Sequence, residues 1–226
     1  MAPTTRERII EAAAALLTEG GREAVSTRAV SAAAGVQAPT IYRSFGDKQG
    51  LLDAVASHGF AAYLRSKAAL EPGDDPVEDL RRGWDLHVAF GVENPAYYAL
   101  IYGEPRPGVQ SPAAREAAKI LAAQVRRIAE AGRLRVSEER AAHLIHSAGA
   151  GMTFTLIGLP PEQRDPALST LARESVIAAV TTDAPAAGPD GVTHTAIALR
   201  GALPRLTELS GAERALLDEW LGRVTG

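Results

Sequence analysis

The chain has no cysteine, few aromatic residues (5%), no excess of basic charge and no long hydrophobic run among its 226 residues. Without cysteine there are no disulfides and no thiolate metal sites, and nothing argues for secretion. The apolar run Ala12–Leu17 is too short to span a bilayer and lies on an amphipathic pattern, so a cytoplasmic protein with no membrane partner is expected. Missing too are a glycine-rich phosphate loop, a Gly-x-Ser-x-Gly elbow and a His-Glu-x-x-His zinc motif, which leaves an enzyme as a remote reading and gives no cofactor. No stretch has the β-branched alternation and hairpin turns of a sheet. What the chain does have is 46% hydrophobic residues, ample for a buried core.

The most informative stretch is Val25–Leu52, which reads as two short helices about a tight turn. Ser26 is placed to cap the first, Val30, Ala33 and Ala34 give it an apolar face, and Gly35 supplies the left-handed residue that stops it. The second runs from about Ala38 to Phe45, with Pro39 in a first turn where its missing N–H costs nothing. Ile41 and Phe45, four apart, face inward, leaving Gln37, Ala38, Pro39, Thr40, Tyr42 and Arg43 near the exposed start and outer face. The spacing is that of a helix-turn-helix unit, whose second helix enters a DNA major groove. The net charge of −3 is low for a nucleic-acid binder. Between Ala24 and Gly46, however, the only charged residues are Arg28 and Arg43, both basic.

The order Ser-Thr-Arg, Ala-Gly-Val, Pro-Thr-Ile-Tyr-Arg, Phe, Asp-Lys and Leu-Leu, within roughly residues 8–56, resembles the N-terminal domain of the TetR family of bacterial transcriptional repressors. The resemblance implies that Arg28 reads a guanine, that Thr27, Thr40 and Lys48 hold phosphates, that Pro39 and Tyr42 touch thymine methyls or backbone, and that Ser26 belongs to the same DNA-binding set. It departs at Ser44, where the family usually carries histidine, and at Ala38, which lacks an adenine-reading amide. It further implies a repressor acting as a homodimer, released from a palindromic operator by a small effector. Two heads about 34–36 Å apart would read half-sites one helical turn apart. The alternative is a constitutive regulator or an activator.

The architecture expected is all-α: a three-helix head over residues 1–48, a helical effector-binding and dimerisation domain over 49–183, and a linker with a helical extension of open role over 184–226. Thr4–Glu19 forms the first helix, closed by Gly20-Gly21, with Ile9 or Ile10, Ala13 and Leu16 or Leu17 inward. Asp47 caps a long helix reaching about Ala69, and Glu71–Pro76 is a break of turn formers. Further helices are expected at Val77–Val92, Pro95–Tyr102, Pro112–Ala131, Ser137–Leu159, Pro166–Thr182, Thr193–Leu203 and Gly211–Val224, with Asp183–Val192 a linker by composition.

Ser137–Leu159 is apolar nearly all round and must be covered on every side. Paired with Pro166–Thr182 it is the expected dimer seam, through Ala148, Gly149, Leu156, Leu168, Leu171, Val176 and Ala179. Candidate effector contacts are Trp84, His87, Tyr98 and Tyr102, rings with one polar tip, together with His143 and Met152. Scarce basic residues in the apolar helices point to a largely apolar effector. His143 and His146 with Glu139 share a helical stretch, but no metal is expected there.

Overall fold

The computed structural model describes residues 3–69, 71–183 and 191–225. Among these the chain forms α-helices and two short 3-10 turns, with no β-strand. The helices are α1 (Thr5–Ala24), α2 (Thr27–Ala34), α3 (Ala38–Phe45), α4 (Lys48–Ala68), α5 (Pro76–Glu93) and α6 (Pro95–Tyr102). Then come α7 (Pro112–Glu130), α8 (Glu138–Gly158), α9 (Pro166–Val180), α10 (Gly191–Ala202) and α11 (Gly211–Thr225). Most of the expected linker, residues 184–190, lies outside the described residues.

Side-chain chemistry sets the helix starts. Thr4 and Glu7 form a reciprocal capping box on α1, and the oxygens of Ser26, Asp47, Ser137 and Asp165 accept N–H groups at the starts of α2, α4, α8 and α9. Proline stands in the first turn of α3, α6 and α9. One boundary differs from expectation. Gly20 and Gly21 do leave helical geometry, Gly21 at φ 66°, but a further helical turn follows to Ala24. That turn delivers Val25, which is fully buried, into the core.

Two compact units result. The first holds residues 1–69 and 89–117; the second holds 70–88 and 118–226, so α5 and α7 contribute residues to both. The first unit contains the core of the head: Ile9, Ala13, Leu17, Val25, Val30, Ile41, Leu51, Leu52 and Val55, against which Ala96, Tyr97 and Leu100 of α6 also pack. Beside it is an aromatic cluster. Phe60 stacks on Tyr63 at 4.6 Å, meets Phe90 edge-on at 5.0 Å and lies 6.3 Å from Tyr102, which in turn is 4.9 Å from Tyr98.

The second unit is tied by buried polar contacts. Asp79, 5% exposed, accepts the Gly73 N–H and pairs with Arg82 and Arg127. Burial alone would raise its carboxyl, but those donors hold it below the usual carboxylate range. Arg81 and Arg173 grip Glu174, joining α5 to α9, and Arg133 binds Asp75 at 2.7 Å. Among the described residues no helix is long and apolar enough to cross a membrane.

Candidate nucleic-acid interface

The head presents its candidate residues on one small surface. Ser26 caps α2, its oxygen accepting the Ala29 N–H at 3.1 Å, which leaves its own O–H to donate outward. Gly35, at φ 63°, closes α2 in the left-handed region and turns the chain into α3. Val30 and Ile41 are buried and anchor the two helices inward. Across from them Arg28, Gln37, Pro39, Tyr42, Arg43 and Lys48 are exposed, Tyr42 by 50%, while Thr27, Ala38 and Thr40 are half-buried. The Thr40 hydroxyl lies 3.5 Å from the Arg43 guanidinium. Ser44 is turned away, its hydroxyl donating to the Thr40 carbonyl at 2.8 Å, so the position where the family pattern has histidine is spent on the helix itself. Arg6 adds a cation at this end, 5.0 Å above the Phe45 ring.

Several cations of the helical body are neutralised by carboxylates, whereas those of this surface are not. Arg81, Arg127, Arg133, Arg173 and Arg200 are all bound to carboxylates of their own chain. Among the described residues Arg28, Arg43 and Lys48 have no such partner. Cations without carboxylate partners thus stand on α2, on α3 and at the start of α4, the kind of arrangement that attracts a polyanion.

The other candidates are distributed between the units. Trp84 and His87 lie in the second unit against Gly149, and the Trp84 indole N–H donates to Ser169 Oγ at 3.0 Å, so this ring, 4% exposed, ties α5 to α8 and α9. Gly149 therefore faces the interior of its own unit. His143 is exposed and Met152 half-buried; Leu156 is buried, Ala148, Leu168 and Val176 are half-buried, and Leu171 (65%) and Ala179 are exposed. Tyr98 and Tyr102 belong to the first unit, within the aromatic cluster.

Lys67, which sequence reasoning missed, completes that cluster. It is 7% exposed, and its Nζ donates to the Tyr63 hydroxyl at 3.1 Å and lies 5.6 Å from the centre of the same ring. Burial lowers its ammonium to about 8 and raises the phenols of Tyr63 and Tyr102. The signal was available in the Phe60, Tyr63, Lys67 spacing, which puts a lysine on an aromatic helix face.

Fold and face together define a helix-turn-helix protein with a helical body. Residues 9–55, the head, match the TetR family of bacterial regulatory proteins. The chain is 38% identical over 76 residues to the HTH-type transcriptional repressor KstR of Rhodococcus jostii (strain RHA1). That stretch is 34% of this chain and 35% of KstR, so the likeness spans about a third of the relative's length. In structure the chain is similar to a tetR family transcription regulator of Shewanella sp. PV-4, with a TM-score of 0.64 and 19% identity over 80% of this chain and 100% of that one. SmeT, the repressor of the Stenotrophomonas maltophilia multidrug efflux pump SmeDEF, gives 0.62 and 23% over 82% and 95%. A TetR variant from Acinetobacter baumannii AYE in complex with minocycline gives 0.56 and 21% over 76% and 93%. At these identities the structural likeness is one of fold.

Proposed function

We propose that the protein is a transcriptional regulator that binds a palindromic operator as a homodimer and is released by a small organic effector. The observation that carries this reading is the unpaired basic face of α2, α3 and the start of α4, set on a helix-turn-helix core. Arg28 is the base reader, with its planar fork free to meet a guanine edge. Thr27, Thr40 and Lys48 hold the phosphate backbone, Pro39 and Tyr42 give the face its shape, and Gln37 and Arg43 flank it. Repression follows from occupancy of the operator, as the name of the curated relative also suggests.

Selection of bound fragments from random DNA yields the operator. On that operator Arg28→Ala is expected to cost roughly 1–3 kcal/mol and to relax one base position. Lys48→Ala is expected to weaken all sequences alike and to lower the salt slope by about one. Equal losses for Arg28→Ala on every operator variant would remove its reading role.

The dimer forms through the outer faces of α8 and α9, where Leu144 and Leu171 are exposed. The effector site is placed in the aromatic cluster of the first unit, where Tyr98 and Tyr102 supply polar tips among apolar rings. A hundredfold release requires about 2.7 kcal/mol of coupling, and DNA must weaken effector binding by the same factor.

A further inference from the structure

A protonated ammonium withdrawn from water is costly unless an anion or several acceptors meet it. Lys67 has the Tyr63 hydroxyl as its hydrogen-bond partner, a neutral one, and among the described residues no carboxylate pairs with it. Two of the part-buried cations elsewhere, Arg133 and Arg173, are met by carboxylates of the chain. Here a phenol meets the charge instead: Tyr63 holds it, and its ring stacks on Phe60, which lies 6.3 Å from the Tyr102 ring, itself 4.9 Å from Tyr98. Phenol O–H groups and an ammonium are all donors to an oxyanion. Phe60 and Phe90 supply apolar walls beside them. The cluster is closed, with Phe60 and Tyr98 fully buried, so an occupant must part these rings as it enters.

We propose that Lys67 anchors the carboxylate of the effector, which is an organic monoacid with an apolar body of chain or rings. The inference rests on the reading of the chain as an effector-responsive regulator and adds one negative charge to the largely apolar effector suggested by composition. One ammonium matches one negative charge. A dianionic phosphate would bring a second charge that nothing in the cluster compensates.

The test uses the full-length protein and matched probes, decanoate against decanol and cinnamate against cinnamyl alcohol, in titration calorimetry. The acid of at least one pair is expected to bind about tenfold or more tighter than its alcohol, the ratio given by one charge-assisted hydrogen bond. Lys67→Met and Lys67→Gln lose that preference while keeping the helical spectrum and the affinity for the alcohol. A second readout is direct, because the chain has only three lysines, Lys48, Lys67 and Lys119. After reductive methylation with carbon-13, the Lys67 resonance titrates at higher pH when the acid is bound.

No preference for the acid in either pair overturns the proposal, as does a preference that survives in both variants or a titration midpoint that does not move. Release of DNA by a neutral compound, with Lys67 replaceable, overturns the proposal and leaves the effector reading standing. Acid binding at Lys67 that never changes DNA affinity supports the site and removes the regulatory reading.

Discussion

At the scale of single residues, Lys67 is the position where stability and function part. Its ammonium is lowered to about 8 by burial, against an unfolded value of about 10.4, so the folded state binds fewer protons between those limits. The penalty is complete below about pH 8 and disappears as the pH rises to about 10.4; it is on the order of 3 kcal/mol. Stability is therefore expected to climb with pH above 8. The buried phenols of the aromatic cluster act in the other direction. Burial raises Tyr63 and Tyr102, so beyond about pH 10 their contribution is lost and the curve turns down. Lys67→Met is expected to be more stable than the wild type at pH 7 and to show no rise between pH 8 and 10. Urea unfolding of the two proteins across that range checks both.

At the scale of elements, the seam between α4 and α6 joins the head core to the aromatic cluster. Gly59 of α4 has the Tyr97 ring where a Cβ would stand, and Tyr97 packs against the head core. Gly59→Ala is expected to push that ring aside and cost about 1–3 kcal/mol, read from the urea midpoint. Helices such as these were legible in the sequence because their ends are written in local chemistry: Ser26 with Gly35, Asp47, Pro95, Ser137, Asp165 with Pro166. The continuation of α1 beyond Gly20-Gly21 was not, since two glycines read as a stop and only the tertiary need to bury Val25 restores the turn. The outer face of α3 could be read from Ile41 and Phe45 alone. Lys67 was legible only through its spacing from Phe60 and Tyr63, a weak signal because lysine on a helix is ordinarily a solvated residue and α4 has no single apolar face.

At the scale of the whole molecule, dimerisation and DNA binding should fail together. Leu171, 65% exposed on α9, is the suitable probe. Gly149 is not, since it lies against Trp84 and His87 of its own protomer. Leu171→Glu is expected to shift sedimentation from dimer to monomer with the helical content intact, and to abolish tight binding to a full palindrome while leaving weak binding to a half-site. A monomer that holds the full operator as tightly as the wild type would overturn this assembly.

The distribution of rings has a spectroscopic consequence. All five tyrosines, 42, 63, 97, 98 and 102, fall in the first compact unit, and both tryptophans, 84 and 220, in the second. Each unit thus carries its own chromophore. Red-edge excitation reports only on the second unit, through one buried indole and one that is 53% exposed. Tyrosine ultraviolet difference signals report on the head and on the cluster around Lys67. Unfolding followed at the two wavelengths needs no label to tell whether the halves of the chain melt as one.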